Sequence, residues 1–514
     1  MKKLKLVCVA IAMACTTPTL AGGLLTNTNQ HVAFDRMMSR EASIGIDGVY
    51  YNPAGVVFMS EGHHLAINWQ LAYQTRSIEN DYALFTNNVN NPTTPREFKG
   101  KAFAPVIPSF QYAYNKGRWS LQAGFALTGG GGKCTFDNGL GSFEKIVAET
   151  AIAACQLAGA VDQVASQYGV PAVFSSDKYF GKEGKYSYNS YMHGRQYYYG
   201  LSIGAAYKIN EHLSAYAGVR GVYASTNYYG YVEDIKVGNM PLYMVLDPTK
   251  EKAANIELSC DQSGLGFTPM LGIDFKTGKW NFAAKYEFKT RIRLKNKSVN
   301  QTPSIGNLPD NLRNAYIAGG VPEQAANAIL SNPVIQGAMG QLKTQFDSKL
   351  EGAIGEYEDG KKIAGDIPAY LALGVGYSPV NTVRVNVGFH WFDDKHATSY
   401  NNRQEKLKRG TLEYNAGVEV DVNKKITLST GWQNTNYGLS DEYMDDKSFV
   451  VSSNSVAVGG VYHINKKMDL NVAYFHTFYQ HKKTSENVEL IGKTYSSDYT
   501  RNNNVFAVGL DINF

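Results

Sequence analysis

The chain has 514 residues, 44% hydrophobic, 12% aromatic and only 18% charged, with 35 Tyr and 50 Gly. That length suggests about three soluble domains, yet no linker or change of pattern divides it. A formal charge of +5 and a mean hydropathy of −0.30 exclude both a strongly basic nucleic-acid surface and a bundle of long apolar helices, and fit strands with one apolar and one polar face.

The N-terminus reads as a targeting signal. Lys2, Lys3 and Lys5 form a basic region, Leu6 to Ala14 an apolar core too short to span a bilayer, and Thr19-Leu20-Ala21 a small-residue cleavage site. Residues 1–21 are therefore expected to be removed; losing three lysines lowers the formal charge from +5 to +2. Cys15 is a poorer lipoprotein acceptor, because Ala12 stands where a larger aliphatic residue is usual.

Residues 22–61 show no strand pattern but carry Phe34, Met37, Met38, Ile44, Ile46, Tyr50 and Tyr51. So much apolar surface is not stable in water, which predicts a plug folded back into the rest of the protein. Asn52-Pro53-Ala54-Gly55 closes the segment as a turn: Asn bonds its own backbone, while Pro fixes φ and forces the preceding residue out of helix.

From residue 62 the dominant signal is alternation. Leu65, Ile67, Trp69, Leu71 and Tyr73 share one face; Val383, Val385, Val387, Phe389 and Trp391 another; and the chain ends with Phe506, Val508, Leu510, Ile512 and Phe514 on one side. Strands are predicted near 63–78, 105–115, 117–128, 196–209, 212–232, 262–276, 279–295, 366–378, 381–393, 410–422, 425–437, 453–464, 467–480 and 502–514. Their fourteen-fold, even count, with tight turns such as Asn115-Lys116, Asn423-Lys424 and Asn465-Lys466 alternating with long loops, predicts a 14-stranded antiparallel transmembrane β-barrel of the Gram-negative outer membrane, its apolar face against lipid.

Two long loops, residues 142–169 and about 309–353, are Ala-rich and read as helices broken at Gly and Pro. Their apolar positions, Phe143, Ile146, Val147, Ile152 and Leu157, either pack the loops together over the barrel mouth or offer a landing surface for hydrophobic ligands. Cys134, Cys155 and Cys260 remain after signal removal, and oxidising conditions make Cys134–Cys155 a candidate disulfide, with Cys260 free or an alternative partner. No CxxC, HExxH, Gly-x-Ser-x-Gly or P-loop occurs, so neither an enzyme nor a metal or other cofactor is expected. On the inward phase of the strands stand many glycines, among them Gly374, Gly388, Gly417, Gly431 and Gly459, which leave room for an occupant.

The run ASIGIDGVYYNPAG before the first strand, the forty-residue N-terminal segment, fourteen strands, helical outer loops and terminal Phe514 together resemble the FadL family of outer-membrane transporters for long-chain fatty acids and other hydrophobic compounds. Asn52, Pro53 and Ala54 match the motif of that family's N-terminal hatch. The resemblance implies a monomer in which ligand is captured by the outer loops, passes to a pocket lined partly by the hatch, and leaves sideways at a kink in the third strand. Gly124, Gly129 and Gly130 are the candidate kink positions, with a flexible strand-to-loop exit as the alternative.

Candidate ligand residues are Phe34, Met37 and Phe58 for an apolar tail and the inward cations Arg220, Lys285, Arg291 and Arg384 for a carboxylate, with Glu287 and Glu413 placed to neutralise some of them. Expected partners are a hydrophobic small molecule, outer-membrane lipid and, through Phe514, the barrel-assembly machinery. An aqueous diffusion porin and a surface adhesion barrel are the rival functions.

Overall fold

The computed structural model describes residues 26–304, 306–333, 335–337, 339–340, 355–488 and 492–514. The predicted signal, 1–21, and part of the second helical loop, 341–354, lie outside them. The chain forms a closed 14-stranded antiparallel barrel. Its strands are β1 (Gly62–Asp81), β2 (Arg96–Lys116), β3 (Trp119–Phe136), β4 (Tyr186–Lys208), β5 (Leu213–Val237), β6 (Ile256–Thr277), β7 (Trp280–Glu287 with Arg293–Gln301), β8 (Lys362–Ala364 with Tyr370–Val380), β9 (Val383–Phe392), β10 (Thr411–Asn423), β11 (Ile426–Asn436), β12 (Ser453–Asn465), β13 (Met468–Tyr479 with Lys482–Val488) and β14 (Lys493–Asn513). Closure comes from the β1–β14 ladder, in register from His64–Asn513 to Asp81–Ser496. Among the described residues no helix is long and apolar enough to cross a membrane.

Large apolar side chains such as Ile67, Trp69, Leu201, Phe267, Leu271, Val387, Trp432 and Phe506 are exposed on the outer face, while their neighbours Asn68, Gln70, Gln111, Thr268, Asn415 and Gln433 are buried on the inner one. This reverses a soluble protein and is what lipid outside and a filled polar lumen require. Several strands run further outward than alternation predicts; β4 begins at Tyr186 and β14 at Lys493. Beyond the lipid band the outer face has no need to be apolar, so the signal fades while the ladder continues.

Over the long-loop end, α2 (Gly141–Ser166) packs with α3 (Tyr243–Leu246), α4 (Leu308–Ala318) and α5 (Glu323–Leu330) around a core of Val147, Ala151, Val161, Leu312, Tyr316 and Ile329. Phe174 meets Tyr316 edge to face at 4.7 Å. Helix α1 (Val32–Met37) and two 3-10 turns, Ile46–Val49 and Gly55–Phe58, belong to the N-terminal segment, which lies inside the barrel with Val32, Met37, Ala54 and Val56 wholly buried.

Candidate functional site

The N-terminal segment rests on a floor of inward glycines. A Cβ added to Gly417 or Gly431 would lie 2.2 or 1.6 Å from the Met37 carbonyl oxygen, one on Gly459 would lie 2.6 Å from Arg36 Cβ, and one on Gly374 would lie 2.5 Å from Glu41 Cβ. Only glycine lets the backbone of α1 approach the wall this closely.

Charged and polar groups then fix the segment in place. Arg36 pairs with Glu419, Arg40 binds Asp47 at 2.7 Å and Glu419 at 3.3 Å, and His390 bridges Glu41 at 2.7 Å and Glu413 at 2.8 Å. Within Asn52-Pro53-Ala54 each residue reaches a different strand. Asn52 Nδ2 donates to Asp274 of β6 at 2.6 Å, the Pro53 carbonyl accepts from Gln122 of β3 at 2.7 Å, and the Ala54 carbonyl accepts from Ser214 of β5 at 2.7 Å. Asn52 Oδ1 also accepts the Gly55 N–H at 3.1 Å, which closes the turn.

Above α1 a cavity of about 270 Å³ opens. Its apolar lining includes Phe34, Met38, Ile107, Leu127, Phe475 and Val505, with Phe449 and Tyr479 toward the loops. Two arginines also face it. Arg76 of β1 and Arg501 of β14 are directly opposite in the closing ladder. Arg501 Nη2 donates to Gln74 at 2.6 Å and its guanidinium lies 5.1 Å from the Tyr479 ring, while its Nε is buried without a partner. Arg76 donates to the same Gln74 at 3.3 Å. Among the described residues neither makes an ion pair with a carboxylate, an arrangement suited to an anionic group between them.

The cavity reaches a break in the wall. Between the pairs Ala102–Cys134 and Phe110–Phe125, residues 103–109 of β2 and 126–133 of β3 are not matched in a ladder. Pro105 and Pro108 lack donors on one side; on the other, β3 bulges against β4 at Leu127/Gly129 and Gly129/Gly132, with Gly130 at φ +88°. The start of the N-terminal segment lies along this edge. Thr26 bridges Gly129, the Asn27 N–H donates to the Thr128 carbonyl at 3.0 Å, and Asn27 Nδ2 donates to the Gly130 carbonyl at 2.9 Å.

Residues 163–514 match the family model described as outer membrane protein transport protein (OMPP1/FadL/TodX). The chain belongs to the FadL/TodX family. No curated protein sequence matches it. A Pseudomonas aeruginosa FadL homologue superposes with a TM-score of 0.56 at 13% identity, covering 98% of this chain and 100% of the other. A TodX monoaromatic hydrocarbon channel mutant gives 0.51 at 14% identity, covering 94% and 99%. At such identities the likeness shows the fold alone. As a FadL/TodX protein the barrel sits in the outer membrane of a Gram-negative cell.

Within this FadL/TodX barrel the predicted site residues separate. Phe34 lines the cavity, stacked on Tyr51 at 5.1 Å. Met37 does not, because its position is taken up by contact with the glycine floor; Met38, left-handed at φ 58°, faces the cavity instead. Phe58 is half-buried near the short-turn end, under Lys276 at 4.4 Å. Arg220 grips Glu287 with two hydrogen bonds of 2.6 and 2.9 Å, and Lys285 binds Glu287 at 3.0 Å and the Tyr50 carbonyl at 2.5 Å. These buried cations are neutralised beneath the segment and are not open to a carboxylate. Arg384 is held by Glu419 and Asp421 at 3.0 and 2.6 Å.

Arg291 points outward, contrary to expectation. The inward phase of β7 passes from Ala283, Lys285 and Glu287 to Thr290, Ile292 and Leu294 across an interruption at 288–289, which turns Arg291 to the outer face. Gly124 stands in regular ladder, paired with Gln111 and Ser202 below the break, whereas Gly129 and Gly130 lie in it. Cys134 and Cys155 are free thiols in separate clusters: Cys134 on β3 beside Ile78 and Phe136, Cys155 on α2 with its Sγ donating to the Phe180 carbonyl at 3.4 Å. Cys260 is also free. Arg76 and Arg501 were missed, although both stand on the inward phase of strands at the two ends of the chain.

Proposed function

We propose that the protein takes up long-chain fatty acids or similar amphipathic carboxylates, and that residues 22–61 act as a hatch controlling release through the β2–β3 break. The carrying observation is the Arg76–Arg501 pair facing a chamber of mixed lining, with an apolar patch, that runs to that break. A carboxylate between the guanidiniums would supply the missing counter-charge, and its hydrocarbon tail would lie against Phe34, Met38, Leu127 and Phe475. Sideways release avoids carrying an apolar tail through the polar lumen below. For release, Asn27 and Thr26 would leave the β3 edge, a step that breaks a few hydrogen bonds of about 0.5–1.5 kcal/mol each.

The solved relatives include a monoaromatic hydrocarbon channel; such hydrocarbons lack a carboxylate, so charge decides between the two ligand classes. Uptake of a labelled long-chain fatty acid and of toluene into proteoliposomes, with Arg76→Gln/Arg501→Gln, separates them. Charged hydrogen bonds of about 1.5–3 kcal/mol predict that fatty-acid binding falls at least about tenfold while toluene uptake is unchanged. Equal loss of both, or neither, would remove the arginines from ligand recognition. Removing residues 22–48 should raise bilayer conductance and abolish selective uptake; an intact protein that already conducts as an open pore would instead be a porin.

A further inference from the structure

A second cationic feature lies on the outside of the barrel. Above the interruption at 288–289, β7 turns Arg291, Arg293, Lys295 and Lys297 to its outer face, and β8 adds Lys362, all exposed. Below it, the outer face of the same sheet is apolar: Leu271, Ile273 and Phe275 on β6, Phe282 and Phe288 on β7, and Leu373 on β8. The change occurs toward the long-loop end, where the outer face leaves hydrocarbon for headgroups. A Lys or Arg on a barrel's lipid face is costly at the bilayer midplane and nearly free of cost near the interface, so the column begins where it becomes tolerable.

Its internal arrangement is what calls for a partner. Lys295 and Lys362 are directly opposite in the β7–β8 ladder, and like charges in that position repel. Nearby acids are engaged elsewhere. Asp366 takes Arg293 at 2.8 Å, Asp261, across from Lys297, accepts from Asn227 at 2.8 Å, Asp359 accepts the Ser298 N–H at 2.8 Å, and Glu358 pairs with Lys361 at 3.7 Å. Arg291, Lys295, Lys297 and Lys362 make no ion pair among the described residues. Immediately beside them Leu265 and Phe267 are 68% and 69% exposed, an apolar shelf for acyl chains. Headgroup anion above and acyl shelf below together specify a lipid rather than a free ion.

We infer that this face binds the phosphorylated glycolipid of the outer leaflet, its phosphates between Lys295 and Lys362 and against Arg291 and Lys297, its acyl chains on Leu265 and Phe267. The site is separate from the lumen and does not depend on what the barrel transports.

The test is binding of purified bis-phosphorylated lipid A to the full-length barrel in detergent, followed by native mass spectrometry. Three arms accompany it: dephosphorylated lipid A, inorganic phosphate, and a zwitterionic phospholipid. At about 1 kcal/mol per cation near a membrane surface, Lys295→Gln/Lys297→Gln/Lys362→Gln should weaken lipid A binding by at least about tenfold. Lys295→Arg/Lys362→Arg should retain it, and Lys424→Gln/Lys425→Gln at the opposite end should leave it unchanged. Wild-type binding of dephosphorylated lipid A as tight as that of lipid A would overturn the inference without recourse to any variant. So would displacement by inorganic phosphate at matched concentration, or undiminished binding by the folded Gln variant, its fold checked by heat-modifiable gel migration.

Discussion

His390 of β9 and Glu41 of the N-terminal segment meet at 2.7 Å, both wholly buried, with the other imidazole nitrogen 2.8 Å from Glu413 of β10. The contact ties the segment to the barrel wall through a charge that has no access to solvent. Burial alone pushes the Glu41 carboxyl up, but the His390 charge and hydrogen bond pull it below its usual 4.5. A depressed carboxyl contributes stability in full above about pH 4.5 and loses it as the pH falls through the lowered value. The Glu41 contribution to the protease accessibility of residues 26–61 should therefore be flat from neutral pH to about 5 and grow under stronger acid. Glu41→Ala should loosen the segment by about 3–5 kcal/mol, read as accessibility already at pH 7.

Asp35, in the same segment, has the opposite sign. It is wholly buried, both carboxyl oxygens lack a partner, and burial pushes its carboxyl well above 3.8. A raised carboxyl stabilises the folded form at low pH, and that contribution drains as the pH rises toward the elevated value. Asp35→Asn should flatten the part of the accessibility profile that rises above about pH 4, while leaving the acid side to Glu41. A profile unchanged by the substitution would show that Asp35 does not limit the segment's stability.

Asn52 combines a turn cap with an anchor to Asp274. Asn52→Ala loses both and leaves the Asp274 carboxylate, also bound by Asn281 at 2.8 Å, short of one donor. The expected cost is about 1–3 kcal/mol, borne by the segment and not by the barrel. Bilayer conductance should rise while heat-modifiable gel migration stays normal.

Gly431→Ala tests the glycine floor. A methyl group there would stand 1.6 Å from the Met37 carbonyl, a backbone contact that cannot yield by a side-chain rotation, so α1 must move. With Phe34→Cys as a reporter, the introduced thiol should react with a membrane-impermeant reagent in the Gly431→Ala variant and stay protected without it.

Gly130→Ala tests the wall break. At φ +88°, with a Cβ only 2.3 Å from the Gln196 carbonyl, the substitution carries about 1–3 kcal/mol of strain and should reshape the β3 edge that Asn27 occupies. Ligand release should slow in stopped-flow measurements with equilibrium binding in the chamber little changed.

The strand count was legible because a strand in lipid must alternate, and Leu65 to Tyr73 or Phe506 to Phe514 state that period without help from neighbours. Asn52-Pro53-Ala54 was legible as a turn from local chemistry, though not its attachment to three strands. Other features escaped for a common reason. Arg76 and Arg501 become neighbours only when the first and last strands close the barrel. Arg291 changed faces because an interruption at 288–289 shifted the phase, and a period of two carries no record of such a slip. Cys134 and Cys155, close in sequence, went to different layers, one in the wall and one in the loop cap.

The sequence by itself determined the barrel and the presence of an inward-folded segment, because these follow from local rules: period-two hydropathy, short turns alternating with long loops, and apolar residues with no strand to carry them. Only the tertiary structure decided which cations are spent on carboxylates, where the wall comes apart and which arginines are left without a carboxylate among the described residues. Those outcomes depend on which side chains face one another across a closed sheet, and closure brings together residues hundreds of positions apart.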